Sequence, residues 1–326
     1  MESQIFDVIV VGGGPVGLAA AYEVAKAGKK VLVLEQNNFF NQAGSSGDLA
    51  RMFRTMYTEE YMARLAKEAM GHWDALEKDA GVSLRWMTGL LNFGDKDYGE
   101  STPEGTTSSR AYFFVYQPRI GTLRGPIDNL KLLDMSYKEL SAAKIEAQYP
   151  FKNLNPNWTG VYAPDNGVIN VQQLLRSLLS LAKDYGAQAK QHTAVKKIVP
   201  SKEDSSIWHV HTLSHSQSSA VYSTKKIVIT CGSYVNHVLK PSFDVSLDLQ
   251  IWEMVASYFN ANAGPSGTIF PSTSSPHVML KILIHRCRHV VSICARQKRQ
   301  ISIVLRHAGS PMGASQRCPY CSGCGY

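Results

Sequence analysis

The chain has 326 residues, 44% of them hydrophobic, and a formal net charge of +8, enough for one large domain or two ordinary ones around a substantial core. No apolar run reaches the about 18 residues of a membrane-spanning helix, and the first apolar run, broken by Asp7 and three glycines with no basic stretch before it, does not read as a signal peptide. The charge sits at one end: Met254 to Tyr326 hold eight Lys or Arg and no Asp or Glu, so the neutral remainder has no basic stripe for nucleic acid.

Cysteine is skewed in the same way. Cys231 stands alone in the body, while Cys287, Cys294, Cys318, Cys321 and Cys324 crowd the end. The body therefore reads as intracellular and free of disulfides.

In chain order, Ile5 to Val11 form a short, mostly β-branched run suited to a strand buried on both faces. Gly12, Gly14 and Gly17 follow at the G-x-G-x-x-G spacing, then helix formers from Pro15 to Ala27 with Gly28 as a C-terminal cap. Val31 to Leu34 make a second buried strand, closed by Glu35. The spacing assigns each residue a task. Gly12 turns the chain, Gly14 lets a pyrophosphate approach the backbone, and Gly17 lets helix and strand pack closely. The helix N-terminus offers free N–H groups to the phosphates. Glu35 can accept hydrogen bonds from a ribose diol and disfavours a 2′-phosphate. The fingerprint alone leaves FAD and NAD open.

Asn37 to Gly47 make a polar loop, followed by "GDLARMFR" and a helix from about Glu59 to Asp79. Tyr61, Leu65, Ala69, Trp73 and Leu76 give that helix an apolar stripe, and Gly81 can stop it. Val82 to Pro150 differ in character. The nucleotide-domain pattern returns with a turn at Asp165-Asn166-Gly167, an N-cap at Asn170 and a helix face of Val171, Leu174, Leu175, Leu178 and Leu179. Strands follow around Val195–Val199, Trp208–Thr212 and Ile227–Thr230, the last ending in a tight turn at Cys231-Gly232-Ser233. His209 and His211 fall on one strand face without a third ligand, which reads as a solvated face and no metal site.

The order of "VIVVGGGPVGLAAAYEVAKAGKKVLVLEQ", "SSGDLARMFR", "GVINVQQLLRSLLSLAKDYGA", "HTAVKKI" and "KKIVITCGSYVNHVL" resembles the sarcosine oxidase family of FAD-dependent amine oxidases, over roughly Ile5 to Phe270. The resemblance implies an α/β fold in which a Rossmann-like FAD-binding domain is interleaved with a smaller α+β substrate domain. The expected division is 1–90 and 160–240 for the FAD domain, 91–159 and 241–275 for the substrate domain, and 276–326 as a divergent basic tail. It implies FAD as cofactor, held by Gly12, Gly14, Pro15, Val16, Gly17, Glu35, Gln36, Ser45, Ser46, Arg51, Val195 and Gly232. Arg54 matches the arginine that binds the substrate carboxylate, and Arg51 matches one beside the flavin ring. The implied chemistry is oxidation of the C–N bond of a secondary amine or N-alkyl amino acid, with O₂ reduced to peroxide. A catalytically impaired FAD-binding protein and an NAD-dependent dehydrogenase are the alternatives. The expected compartment is the cytoplasm, with the peroxisome allowed by the family, and neither nucleic acid nor membrane is an expected partner.

The resemblance stops near Ser272, as after a reading-frame change or a retained intron. Beyond it no lysine, flavin-linking cysteine or glycine-rich closing segment matches the family. "CPYCSGC" reads chiefly as a tail of altered coding. The lesser readings are a zinc site of Cys318, Cys321 and Cys324 with His307, or flavin attachment at Cys318. Runs such as Val278–Ile284 and Ile301–Leu305 can still make short strands or helices.

Overall fold

The computed structural model describes residues 4–47, 50–95, 124–149 and 151–249, together with the backbone of three further strands, Ser257–Asn260, Met279–Ile284 and Val290–Arg296. The expectations for Cys318, Cys321, Cys324, His307 and 301–305 lie outside these residues.

The fingerprint folds as a parallel unit. β1 (Ile5–Val11) leads through α1 (Pro15–Lys26) to β2 (Val31–Leu34), and the two strands pair in parallel. Gly28, at φ +73°, takes the left-handed position just past the helix end, where a side chain would be strained. Both strands are buried because both faces are covered. Val8, Val10, Val31 and Val33 pack against α1 and α5 (Val171–Asp184). Ile9, Val11, Leu32 and Leu34 pack against β10 (Thr193–Pro200), β11 (Trp208–Ser214) and α6 (Asn236–Phe243).

Long-range pairing completes this sheet. β12 (Ser219–Ile229) pairs antiparallel with β11 at its start and parallel with β1 toward its end. β9 (Gln188–Lys190) joins β2 in parallel. The six-stranded order is β10-β11-β12-β1-β2-β9. Asn170 caps α5 by accepting from the Gln173 N–H at 3.2 Å, as its position before the helix predicts.

A second sheet is wholly antiparallel, in the order β13 (Ser257–Asn260), β14 (Met279–Ile284), β15 (Val290–Arg296), β5 (Leu90–Asp95), β7 (Trp158–Ala163), β6 (Lys138–Ser141). Within the apolar run at 278–284, Met279–Ile284 takes the strand option, on this sheet. α4 (Ala142–Gln148) covers one face around Leu91, Phe93 and Leu140. α3 (Arg124–Leu132) contributes Leu130 to the other, against Leu90, Val161 and Ala163.

A small third sheet joins the two. β3 (Ala50–Phe53) and β4 (Arg85–Trp86) flank β8 (Gly167–Asn170), all antiparallel. α2 (Glu60–Ala80) packs beside it and ends at Gly81, φ +65°. The expected stripe on α2 holds only in its second half. Trp73 and Leu76 join the core with α1 and α5, whereas Tyr61 and Leu65 are exposed and Ala63 is the buried side chain of the first half. The core with α1 and α5 takes in Trp73 and Leu76 but leaves Tyr61 and Leu65 exposed, so periodicity alone overstated the buried face.

The α2–β4 junction is polar and buried. The Arg85 side chain, 5% exposed, bonds to Asp74 and, at 2.9 Å, to Glu77. Its guanidinium lies over the rings of Phe53 (5.1 Å) and Trp73 (5.5 Å). Glu77 Oε1 also accepts the N–H groups of Leu84 (2.7 Å) and Arg85 (2.8 Å).

Candidate cofactor and substrate site

A cavity of about 480 Å³ opens at the carboxyl ends of β1, β2 and β12, the place where open α/β sheets receive ligands. Its walls follow from the strand ends. Gly12 turns the chain out of β1 at φ +106°, and its N–H donates to the Leu34 carbonyl at 2.9 Å. A Cβ on Gly12 would sit 2.6 Å from the Thr230 carbonyl oxygen, and one on Gly17 would sit 2.0 Å from the Gly12 oxygen. Both glycines are therefore demanded by the protein's own packing. Gly14 differs. It has an ordinary φ of −77°, and the nearest atom to an added Cβ is Ser46 Oγ at 3.8 Å. The room kept there is room for something outside the chain.

α1 supports the same conclusion. Its N-cap makes no side-chain hydrogen bond, and Pro15 occupies the first turn. The unsatisfied N–H groups of that turn border the cavity with Gly14, Pro15 and Val16, a fit for the two negative charges of a diphosphate. At the end of β2, Glu35 is 8% exposed. Its Oε2 accepts the Gly13 N–H at 2.7 Å and its Oε1 the Asn37 N–H at 2.8 Å. The carboxylate thus braces the glycine turn as well as facing the cavity, and each oxygen keeps lone-pair capacity for a ribose hydroxyl.

The structure brings together nearly all the sequence-predicted cofactor residues. Gly12, Gly14, Pro15, Val16, Glu35, Gln36, Ser45, Ser46, Arg51, Val195 and Gly232 line the cavity. Gly17 instead supplies the helix–strand contact. Arg51 lies on β3, opposite Ile169, and donates to the Ser45 carbonyl and to the Ala50 carbonyl at 3.2 Å. It anchors the 42–47 loop from one side. Tyr234, its hydroxyl donating to the Ala43 carbonyl at 3.1 Å, anchors it from the other.

Arg54 lies apart from the cavity walls. It is half-buried just beyond β3, with its guanidinium 4.6 Å from the Tyr57 ring centroid. Two asparagines fix the segment that carries it. Asn166, fully buried, accepts the Thr55 N–H at 2.5 Å. Asn129 donates to the Tyr57 and Thr58 carbonyls, both at 2.9 Å.

Sequence reasoning missed several wall residues. Thr230 Oγ1 donates to the Val11 carbonyl at 2.9 Å and holds the turn at Gly12. Phe40, Trp73 and His237 also line the cavity. Asn166 was legible only as a turn residue, because its partner lies 111 positions away. Burial, with Glu35 nearby, pushes the Cys231 thiol up to about 11, so this cavity residue stays protonated at neutral pH. His209 shares a hydrogen bond with Ser223 Oγ at 3.2 Å.

Residues 7–276 match the profile of the DAO family, described as FAD dependent oxidoreductase. The chain belongs to this family. FAD is accordingly the cofactor, and the free N–H groups at the α1 N-terminus fit its diphosphate. A Dictyostelium discoideum protein named for a bifunctional amine oxidase is 50% identical over 271 residues, covering 82% of this chain and 24% of that one. Human peroxisomal sarcosine oxidase is 28% identical, covering 79% and 58%. This chain thus spans about a quarter and somewhat over half of those two relatives. Among solved structures, NikD, an unusual amino acid oxidase essential for nikkomycin biosynthesis, superposes with a TM-score of 0.67 at 28% identity, covering 96% of this chain and 74% of that one. Glycine oxidase from Geobacillus kaustophilus, at 18% identity and a TM-score of 0.58, shares the fold. Among the described residues no helix is long and apolar enough to cross a membrane.

Proposed function

We propose that the protein oxidises the C–N bond of a secondary amine or N-alkyl amino acid to the imine and passes the electrons to O₂, giving hydrogen peroxide. The bound flavin supplies the two-electron chemistry; the chain supplies orientation and charge. In this reading the FAD domain is built from 1–90 and 160–240, interleaved with a substrate domain whose sheet includes β5, β6 and β7. The α1 N-terminus and Gly14 hold the diphosphate, Glu35 a ribose, and Val195 the region of the adenine. The Arg51 guanidinium, held against the loop at Ser45, presents positive charge to the ring end of the cofactor. Arg54, on the braced segment beyond β3, takes the substrate carboxylate with its planar fork.

The observation that carries this reading is the single cavity that the Arg51 side chain lines together with the uncapped N-terminus of α1. The test is peroxide release by the flavin-loaded protein with sarcosine, pipecolate and other N-methyl amino acids. Turnover with one of these is expected. Arg54→Met is expected to raise KM for the carboxylate-bearing substrate about 100-fold, as loss of a bidentate charged contact implies. A flavin-loaded protein that releases no peroxide with any secondary amine would sink the turnover reading and leave a protein that binds FAD without this reaction.

A further inference from the structure

We propose that His192 and His215 form a surface chelating site for a divalent transition-metal ion that takes ligands at right angles, of the nickel or copper(II) kind. The site does not rest on the amine-oxidation reading above.

The two histidines are 23 positions apart, too far for sequence spacing to join them. His192 lies in the turn between β9 and β10, and His215 in the turn between β11 and β12. Thr193 pairs with Ser214 in the β10–β11 ladder, so the histidines face each other one step beyond it. The backbone fixes both. The His215 N–H donates to the His192 carbonyl at 3.1 Å, and the His192 N–H donates to the Asn37 carbonyl, also at 3.1 Å. His192 is held in the left-handed region, at φ +55°, which few residues other than glycine adopt. The chain's own bonds thus set the geometry before any ion arrives, which lowers the cost of binding one.

The two Nδ1 atoms are 3.0 Å apart, the ring centroids 4.5 Å apart, and the ring planes inclined by 54°. An imidazole nitrogen binds such ions at about 2.0–2.1 Å, so this separation subtends about 94° at the metal, whereas tetrahedral ligands would stand about 3.3 Å apart. The right angle is that of tetragonal nickel and copper(II) sites. The ring positions agree. A straight N–H···N bond would hold the centroids about 5.3 Å apart, and two rings aimed at one ion at a right angle would hold them about 4.7 Å apart. Without metal, one Nδ1–H donates to the other ring. To take the ion, that histidine carries its proton on Nε2 instead, and both Nδ1 lone pairs face the metal. Among the described residues no three His, Cys, Asp or Glu converge on a metal position. Water therefore completes the coordination, and the pair is open to it, with His215 exposed and His192 half-buried.

The site adjoins the cofactor cavity. Asn37 and Thr193 line that cavity, and the Thr193 N–H donates to the Glu35 carbonyl at 2.8 Å. An ion held here pins the two turns to each other beside the strand end that carries Glu35.

The test is calorimetric titration of the full-length, flavin-loaded protein with Ni²⁺, alongside His192→Asn and His215→Gln. Asparagine suits the left-handed backbone and glutamine replaces an exposed ring, so both metal-free variants should melt with the wild type. All three proteins share the cysteine-rich end, so any nickel taken up there appears in each alike. The wild type is expected to bind one further Ni²⁺. Each single change is expected to weaken that ion about 100-fold, the scale on which a second tethered ligand raises affinity. The double variant should lose little more than either single one, because one histidine alone holds the ion weakly. Equal nickel uptake by the wild type and both variants overturns the proposal. So does a single variant that keeps the further ion at wild-type affinity, which would place it on one histidine or elsewhere.

Discussion

Gly14→Asp is expected to abolish FAD binding while making the cofactor-free protein more stable. The backbone at Gly14 is extended, with ψ near 180°, and accepts any residue. The space around it is empty of protein atoms within ordinary contact, Ser46 Oγ at 3.8 Å excepted. An aspartate there becomes an N-cap for α1, which lacks a side-chain cap. Capping and the helix dipole together contribute about 0.5–2 kcal/mol. The same carboxylate takes up the N–H groups meant for the diphosphate and repels it, so affinity for FAD should fall by more than about 100-fold, a loss of roughly 3 kcal/mol. Gly17→Ala makes the contrast. Its Cβ would lie 2.0 Å from the Gly12 oxygen and 2.6 Å from Thr230 Oγ1, and forcing β1 away from α1 costs about 1–3 kcal/mol or more. Thermal melts of the cofactor-free variants should move in opposite directions, whereas FAD binding fails in both.

The second large effect lies at the α2–β4 junction. Glu77→Ala is expected to destabilise the protein by about 3–5 kcal/mol, the scale for removing one partner from a buried ion pair. The remaining partner of Arg85, Asp74, has a side chain 73% exposed and offsets little. Glu77→Met with Arg85→Met should cost far less than Glu77→Ala alone, because no unpaired charge then remains. The pair also sets a pH dependence. Burial alone would raise the Glu77 carboxyl, but hydrogen bonds from the Arg85 side chain and from the Leu84 and Arg85 N–H groups outweigh it and hold it below the ordinary value of 4.5. Its contribution is therefore complete above that value and lost as the pH falls through the lower folded one. Urea unfolding midpoints across that range should decline in the wild type and decline less in the double variant.

The parts of this protein that were legible in its sequence are the parts whose causes are local. The β1–α1–β2 unit, the turn at Gly12, the close packing at Gly17 and the cap at Asn170 follow from spacing within a few residues. Ser45, Ser46 and Arg51 line the cavity, and no local spacing in the sequence places them there. Pairings between distant segments were not legible. Nothing near Ser219 announces that β12 serves two partners at once, and nothing near Asn166 announces Thr55. The stripe on α2 shows the converse limit. Periodicity says which face of a helix is apolar, but the neighbouring helices decide how much of it is covered. Glu35 was read as a ribose acceptor, and its brace on the Gly13 and Asn37 N–H groups came only from the fold.

Titration of the cofactor-free protein with FAD, followed by calorimetry alongside its Gly14→Asp variant, tests the central claim most directly. One FAD per chain should bind to the wild type, with the visible bands of a protein-bound flavin, and none to the variant. A wild-type protein that takes up no FAD, or a variant that binds it as tightly as the wild type, would contradict the assignment of the diphosphate to the α1 N-terminus.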